Sequence, residues 1–362
     1  MRKAVTNIAK SRPTIVGAGL IALDVVLTES GDWLMAAGGT CGNVMAIMSH
    51  LGWIAKPISR LGCDRAAGVV RDDLSLWGVD LSLFSVQPVK KTPVIVERIR
   101  RDANGVPFHT FSFYCPACNR RFPGFQPLPL KSLAPVLESL GRCEVVFIDR
   151  VSPSAVELAR MGADRGAVVI FEPPRSSGDK HFQSLLSLAT IVKYSHDRID
   201  QLDLPKSAEV FIEIQTLGRG GVRFRTQHDS FSRGWHHLQA ERVEDIVDSS
   251  GCGDWFTAGL IASLCSKGRN AAYKSKKEDI LEAFVVAQAL AAWNCKFAGA
   301  RGGMYSPKLA QIRSIFKNEH SRVRLTGKTP KLDVEDIAVA QVCGDCHVTP
   351  QTALAVRPRM RA

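Results

Sequence analysis

The stretch Asp248-Ser-Ser-Gly-Cys-Gly-Asp-Trp-Phe-Thr-Ala-Gly259 carries the strongest information on both fold and chemistry. Its glycines stand directly before an apolar run of helical periodicity. The backbone N–H groups of Gly251, Cys252 and Gly253 are therefore predicted to converge at a helix N-terminus, where the helix dipole adds positive potential. Glycine also lets an oxyanion approach the main chain closely. We interpret this segment as an anion-binding turn.

Asp254 follows this turn and is predicted to lie in the first turn of the helix. A carboxylate in that place can accept a proton from an attacking hydroxyl while the amides hold a transferring phosphoryl group. Phosphoryl transfer requires this combination of one base with positioning and charge neutralisation. Because Asp is also a favoured N-cap residue, a purely structural capping role is the alternative.

A second glycine-rich segment, Gly38-Gly-Thr-Cys-Gly-Asn43, precedes another predicted helix. Gly38 and Gly39 allow close approach of the backbone, while Asn43 and Asp24 offer an amide and a carboxylate to hydroxyl groups. This combination suits a polyhydroxylated ligand at the carboxyl edge of a parallel sheet. Neither a complete G-x-G-x-x-G nor a G-x-x-x-x-G-K-[ST] sequence is present, which disfavours a dinucleotide site and a P-loop kinase.

Short apolar runs rich in β-branched residues alternate with helical segments, which predicts βαβ units and a mostly parallel sheet. The predicted strands are 14–19, 145–149, 168–172, 190–194 and 210–216, and the predicted helices are 43–51, 68–77, 154–165, 182–188, 253–264 and 278–294. The apolar run 14–27 is interpreted as one buried strand rather than a signal peptide. The basic stretch 267–277 is predicted to be a solvated loop.

The segment 92–113 has a different pattern, with two β-rich runs on either side of a turn at Asp102-Ala-Asn-Gly105. It predicts a β-hairpin, and a hairpin inserted between halves of a parallel sheet can cover a ligand site as a lid. An edge hairpin without a ligand role is the alternative.

Together these segments resemble the ribokinase-like (PfkB) family of sugar and nucleoside kinases. The resemblance rests on Gly38-Gly-x-x-x-Asn43, on Leu61-Gly-x-Asp-x-x-x-Gly68 and on the 248–259 motif, in this order along the chain. It implies a three-layer α/β/α fold with a mostly parallel sheet and a small β-hairpin lid. The kinase domain would span 14–307 with a lid insertion at about 90–125, followed by a C-terminal extension, 308–362.

The resemblance also implies roles for individual residues. Asp254 matches the catalytic base, with Gly251, Cys252 and Gly253 as the anion hole. The positions that match acceptor-binding residues are Asp24, Gly38, Gly39 and Asn43, and those that match nucleotide-binding residues are Lys193, Ser195, Thr216, Gly218 and Gly221. The implied activity is the phosphorylation of a sugar or nucleoside hydroxyl with ATP and Mg²⁺. By the same resemblance, a homodimer through the lid is possible.

Two departures from the family pattern bear on activity. Ser195 and Arg198 stand where the family often has Asn-x-x-Glu, an element that organises Mg²⁺ and phosphate, and Lys193, His196 or Asp197 are candidate substitutes. Cys252 replaces the usual alanine and would be oxidisable if its pKa were lowered there. A weakly active or inactive binding or regulatory protein on this fold is the alternative function.

Two C-x-x-C pairs, Cys115/Cys118 and Cys343/Cys346, lie after the hairpin and in the C-terminal extension. Each pair is half of a tetrahedral Zn²⁺ site, so one shared structural site would fasten the extension to the lid region. Two separate redox or unligated pairs are the alternative. A c-type haem attachment at Cys346-His347 is a further alternative, as is a knuckle with basic flanks that touches nucleic acid.

Composition excludes several classes of protein. With 362 residues, 45% hydrophobic and 23% charged, the chain is neither disordered nor collagen-like, and its net charge of +12 favours anionic ligands. No apolar stretch is long enough for a membrane span. Ten cysteines in a chain of this length do not suggest a secreted disulfide scaffold. The expected location is therefore the cytoplasm, with a small-molecule substrate and no nucleic-acid partner.

Overall fold

The structure, a computed structural model, describes residues 12–88, 90–316, 337–338, 342–343, 346 and 355–356. The strands and helices in chain order are β1 (Thr14–Ala18), β2 (Ala22–Leu27), β3 (Trp33–Gly38), α1 (Thr40–His50), β4 (Ile54–Gly62), α2 (Arg65–Leu76), β5 (Phe84–Gln87), β6 (Val94–Arg101), β7 (Pro107–Ser112), α3 (Leu130–Ser139), β8 (Val145–Ile148), α4 (Pro153–Asp164), β9 (Val168–Phe171), α5 (Lys180–Leu188), β10 (Ile191–Ser195), β11 (Ile212–Thr216), β12 (Val222–Thr226), β13 (His236–Leu238), α6 (Cys252–Leu264), α7 (Arg269–Tyr273), α8 (Lys277–Asn294), α9 (Ile312–Ile315), β14 (Ile337–Ala338) and β15 (Ala355–Val356).

The main sheet has nine strands in the order β13-β12-β11-β10-β9-β8-β1-β4-β5. The strands from β11 to β5 are parallel, and β12 and β13 are antiparallel at one edge. The central strand β8 is buried at every residue. Such double-sided burial explains why the parallel strands are continuous apolar runs in the sequence. The predicted mostly parallel sheet is confirmed.

Two hydrophobic layers cover the faces of this sheet. Along β8, Val145 and Phe147 belong to one cluster, together with residues of α1, α6 and α8. Val146 and Ile148 belong to the other cluster, together with residues of α3, α4 and α5. Alternate side chains of a strand point to opposite faces, so the helices form one layer on each side. This arrangement is the predicted α/β/α fold.

A separate four-stranded sheet, which we call the lid, has the strand order β3-β2-β6-β7. Strands β6 and β7 form the predicted hairpin, which pairs in parallel with β2. The lid thus includes residues 22–38 as well as the segment at about 90–125 that the sequence indicated.

The predicted strand 14–19 corresponds to β1, but the interpretation of the whole apolar run 14–27 as one buried strand was wrong, because the chain leaves the main sheet after β1 and enters the lid at β2. Asp149 stabilises the chain between the two strands, because its carboxylate accepts a hydrogen bond from the Leu20 amide at 2.9 Å. A Cβ on Gly19 would lie 1.4 Å from Asp149 Oδ1, so glycine is required at this crossing. The predicted strand end at Gly19 marks this break, whereas the apolar character of the run on both sides of it does not.

The predicted loop at 267–277 contains the short helix α7. Its first amide, that of Arg269, bonds to the Gly166 carbonyl at 2.9 Å, and Ala272 is buried. Tertiary contacts thus fold this polar segment into a helix.

The extension expected at 308–362 lies mostly outside the described residues, and α9 at its start packs against α8. No helix among the residues that the structure describes is long and apolar enough to span a membrane.

Substitutions at two glycines within helices can test how closely the helices pack on the main sheet. In α4, a Cβ on Gly162 would lie 2.5 Å from Val146 Cγ2 of β8, whereas Gly68 in α2 has nothing within 4 Å. We expect Gly162→Ala to lower the free energy of unfolding by about 1–3 kcal/mol through overpacking. Gly68→Ala should raise it by about 0.5–1 kcal/mol. Urea unfolding of both variants measures the difference, and equal effects would contradict the close packing of α4 on β8.

Candidate active site

The candidate site lies at the carboxyl edge of the parallel strands, where α1 and α6 begin beside each other. Asp149 and Glu172 directly follow β8 and β9, and Ser195 and Thr216 end β10 and β11. This edge is where ligands bind in open α/β sheets, because loops and helix N-termini converge there.

The two predicted glycine-rich motifs meet through a buried hydrogen bond. Asn43 Nδ2 donates to Asp254 Oδ2 at 2.7 Å across 211 residues of chain. Both side chains are almost excluded from solvent, with exposed fractions of 4% and 8%. Asn43 lies in the first turn of α1 and Asp254 in the first turn of α6, so the bond joins the two helix N-termini.

Burial raises the pKa of Asp254 to about 7, and the nearby Glu172 carboxylate raises it further, while the Asn43 hydrogen bond and the charge of Lys193 act in the opposite direction. A carboxyl group whose pKa lies near neutral pH takes up a proton more readily than an ordinary Asp and still ionises at the pH of a cell. The side chain is thus suited to proton transfer.

The anion turn has the expected conformation. Gly251 is the N-cap of α6 and is left-handed, with φ at 71°. A Cβ there would lie 2.1 Å from the Ala300 carbonyl oxygen, so no other residue fits. The Cys252 amide makes only a long contact, 3.4 Å, with the Ser249 carbonyl. The Cys252 amide is therefore available to donate a stronger hydrogen bond to an oxyanion.

The side chain of Lys193, a predicted nucleotide-binding residue in β10, contacts this turn. Its buried ammonium donates hydrogen bonds to the Glu172 carboxylate and to the Gly253 carbonyl, the latter at 3.1 Å. The second Glu172 oxygen accepts a hydrogen bond from Thr257 at 2.9 Å. Glu172 was not among the predicted site residues, although an acidic residue directly after a buried strand is a usable indication.

Arg301 is a further functional residue that sequence reasoning missed. Its guanidinium donates to Asn43 Oδ1 at 3.1 Å and also bonds to the Asp73 carboxylate. Asp73 in turn accepts hydrogen bonds from the Ala37 amide at 2.8 Å and the Tyr305 hydroxyl at 2.7 Å. Because Asn43 Oδ1 faces Arg301, its NH₂ group must face Asp254. No motif around Arg301 indicates this role.

The predicted acceptor-binding residues are contiguous where the lid meets α1. Asp24 packs directly on Gly38, where a Cβ would lie 1.8 Å from the carboxylate. Gly39 is left-handed, with φ at 75°, and its carbonyl accepts the Asn43 amide at 2.8 Å. The structure therefore brings Asp24, Gly38, Gly39 and Asn43 together on the side of the site covered by the lid.

The remaining predicted nucleotide residues form a second group on the same sheet edge. Ser195 and Thr216 are in register on neighbouring strands. The turn that follows, Gly218–Gly220, is exposed, with Gly218 at φ 55°. Gly221 is also left-handed, and a Cβ there would lie 2.1 Å from the Leu238 carbonyl oxygen. An exposed glycine turn of this kind can present its amides to phosphate.

The Cys252 thiol contacts the thiol of Cys295, with the two Sγ atoms 2.8 Å apart. The hydrogen bond from Cys252 lowers the pKa of Cys295, and the same bond together with burial raises the pKa of Cys252. The condition expected for oxidation of Cys252, a lowered pKa, is therefore not met.

The lid is joined to the anion turn by a cluster of three ionisable groups. His109 Nδ1 lies 3.2 Å from Asp248 Oδ1, and the carboxyl group of Glu97 lies within 4.8 Å of both. Burial and then the charge of Asp248 raise the pKa of Glu97 to about 9. Against the effect of burial, hydrogen bonds from His109 and Ser250 lower the pKa of Asp248 to about 2. Glu97 is thus protonated and Asp248 ionised at neutral pH.

The four cysteines predicted as metal ligands also meet, in a separate cluster after the lid hairpin. The Sγ atoms of Cys115, Cys118, Cys343 and Cys346 lie within 4.8 Å of one another. The structure thus joins two pairs that are distant in sequence.

Comparison with known proteins identifies the family of the chain. The profile for "pfkB family carbohydrate kinase" matches residues 19–307. The chain belongs to the pfkB family. It is therefore a kinase of the class that acts on sugars or nucleosides, and both the ribokinase-like fold and the kinase assignment made from the sequence are confirmed.

The individual relatives are distant in sequence, but the similarity extends over about two thirds of this chain. The Escherichia coli fructokinase is 27% identical over 272 residues, which cover 69% of this chain and 84% of that protein. The aminoimidazole riboside kinase of Salmonella typhimurium is 25% identical over 265 residues, which cover 68% of this chain and 79% of that protein. The structure of a Xylella fastidiosa fructokinase with bound ATP superposes with a TM-score of 0.64 at 18% identity and covers 84% of this chain and 98% of that one.

The protonated Glu97 makes stability depend on pH. Its folded pKa of about 9 lies above its ordinary value of 4.5, so its contribution is complete below pH 4.5 and is lost as pH rises through 9. We expect Glu97→Gln, which stays neutral, to lose less stability than the unmodified chain between pH 5 and pH 8. Urea midpoints at these two values measure it, with the exposed Glu138→Gln as the control. Parallel losses in all three proteins would contradict a protonated Glu97.

Proposed function

We propose that the protein transfers the γ-phosphoryl group of ATP to a hydroxyl of a sugar or a nucleoside, with Asp254 as the catalytic base. The hydrogen bond between Asn43 and Asp254 carries this proposal, because it joins a carboxylate of pKa about 7 in the first turn of α6 to one of the predicted acceptor-binding residues. The names of the relatives, fructokinase and aminoimidazole riboside kinase, support the same range of acceptors.

In the proposed reaction, the acceptor hydroxyl lies against Asp254 and is oriented by Asp24 and by the backbone at Gly39. Asp254 takes the hydroxyl proton as the oxygen attacks the γ-phosphorus, the bond to the β-phosphate oxygen breaks, and ADP leaves. The amides of Gly251, Cys252 and Gly253 would hold the charge on the transferring group, assisted by the dipole of α6.

ATP would lie over the exposed turn after β11, with Ser195 and Thr216 near its phosphates. The Xylella fastidiosa structure with bound ATP has the same fold, which supports the use of ATP by this chain. Lys193 is placed to stabilise negative charge from beneath the turn, since its ammonium already bonds to the Gly253 carbonyl.

The donor set at this edge fits Mg²⁺, which prefers carboxylate oxygens and retains several waters. Glu172 is the residue that would hold the hydrated ion, which would neutralise charge on the phosphates. Because Glu172 also bonds to Lys193 and Thr257, it is better placed to bind waters of the ion than to coordinate it directly. This arrangement would take over the task of the missing Asn-x-x-Glu element.

One feature of the lid bears on the choice of acceptor. Phe111 is in register with Glu97 and therefore lies on the same face of the lid sheet. Its ring is half exposed and lies 4.8 Å from the ring of His109, which contacts Asp248. An aromatic ring on this face can stack on a nucleobase, so a nucleoside acceptor would use Phe111 and a simple sugar would not.

The decisive experiment is a phosphotransfer assay with ATP and Mg²⁺ over a panel of sugars and nucleosides, with products identified by mass spectrometry. We expect ADP and a phosphorylated acceptor to form, and Asp254→Asn to lower kcat by about 10²–10⁴-fold through loss of the base. The exposed Asp164→Asn serves as the control. Full turnover in Asp254→Asn would exclude this residue as the base. Ligand binding without turnover in the unmodified chain would favour the alternative of a regulatory protein.

The pH dependence of the reaction tests the tuning of the base. Since the Asn43 hydrogen bond lowers the pKa of Asp254, Asn43→Ala should raise that pKa and move the acidic limb of kcat/KM to higher pH. Loss of a hydrogen bond to a charged group corresponds to a shift of roughly one to two pH units. Asn270→Ala, at an exposed position in α7, is the matched control. An unmoved acidic limb in Asn43→Ala would contradict the assignment.

A further inference from the structure

The cluster of four cysteines after the lid hairpin has no part in the proposed phosphotransfer. Its sulfur atoms approach in two cross-pairs, with Cys115 Sγ 3.5 Å from Cys346 Sγ and Cys118 Sγ 3.6 Å from Cys343 Sγ. All four lie within 4.8 Å of one another. Each close contact joins one C-x-x-C pair to the other, so the cluster is a single group of four sulfurs.

The backbone around the first pair forms a tight knuckle. The Asn119 amide bonds to the Cys115 carbonyl at 2.9 Å, and the Cys115 amide bonds to the Arg120 carbonyl at 2.8 Å. Asn119 has a φ of 56° and is the one residue other than glycine with positive φ in the described part of the chain. The Arg120 amide donates a hydrogen bond to the Cys118 sulfur. This uncommon turn directs both thiols of the pair to one side.

We propose that Cys115, Cys118, Cys343 and Cys346 bind one zinc ion as thiolates. A tetrahedral ion with Zn–S distances of about 2.3 Å requires sulfur atoms about 3.8 Å apart. The observed separations of 3.5 and 3.6 Å are close to that value, and binding needs only small side-chain movements. A tetrahedral set of four sulfurs selects zinc or iron–sulfur chemistry over Mg²⁺ or Ca²⁺.

Charge and burial at the cluster also suit the ion. Four thiolates around Zn²⁺ leave a net negative charge, which the neighbouring Arg120 and Arg121 can offset. Cys115 and Cys343 are buried, with exposed fractions of 1% and 7%, and Val342 packs in the same core cluster. Burial protects the ion from competing ligands in solvent, while ligand thiols must lose their protons on binding.

The ion would fasten the C-terminal extension to the lid. Cys115 lies three residues after Ser112, the last residue of β7, and Cys343 belongs to the extension. A second described piece of the extension, β15, lies against the edge strand β3 of the same sheet. Closing a loop of this length adds little entropic cost per residue, so one ion can hold the two segments together.

Metal analysis of the full-length protein, purified without added zinc, tests the proposal. We expect about one zinc per chain, none in the double variant Cys343→Ser/Cys346→Ser, and one in Cys63→Ser, which alters an exposed cysteine outside the cluster. The double variant leaves the lid sequence intact, and circular dichroism together with phosphotransfer will show whether it folds. Chelation of the unmodified protein should release the zinc and make four additional thiols reactive.

Three outcomes would overturn the proposal. The first is a folded, unmodified protein without zinc even after incubation with the free ion, and the second is zinc retained in the double variant. The third is the loss of all four thiols to two disulfides in protein kept under reducing conditions. Iron in place of zinc, visible by its absorption, would refute the choice of metal. None of these results depends on the kinase activity, so they separate this proposal from that for Asp254.

Discussion

The contact on which the site depends is the hydrogen bond from Asn43 to Asp254. It requires the N-terminus of α1, which follows the lid strand β3, to meet the N-terminus of α6, which enters from the far end of the chain. Arg301 fixes the orientation of Asn43 from a third segment and is itself held by Asp73. The geometry of one carboxylate is thus determined by α1, α2, α6 and the turn after α8 together.

This arrangement lowers the stability of the fold, because it buries several carboxyl groups. Asp254, Glu172 and Asp149 lie along one sheet edge, and burial raises the pKa of Asp149 to about 6 in the same way that it acts on Asp254. Lys193 and Arg150 supply nearby positive charge, each through a direct ion pair. A pair of this kind does not recover the full cost of desolvation, so the site is stabilised largely by the apolar layers around it. Buried charged groups that lower the stability of the fold in this way are common in active sites.

Much of the fold could be predicted from the sequence. The parallel strands are recognisable because full burial on both faces leaves only apolar residues, and the two glycine-rich turns are recognisable because left-handed φ angles at Gly39 and Gly251 tolerate little else. The end of β1 was predicted at Gly19, but the transfer of the following strand to a second sheet was not predictable, since the residues on both sides of Gly19 are equally apolar. Arg301 was missed because it acts through partners from distant segments and no motif surrounds it, whereas Glu172 could have been found from its position directly after a buried strand.

The lid is assembled from two separate stretches, β2–β3 and β6–β7, that enclose α1, β4 and α2 in the chain. Its central pairing, β2 with β6, therefore joins two segments that are separated in the chain by α1, β4, α2 and β5. If only the β6–β7 hairpin of this enzyme were moved into a relative in order to exchange acceptor preference, the lid would not be transferred. Both stretches, and the junction at Gly19 that redirects the chain between the two sheets, have to be exchanged as one unit.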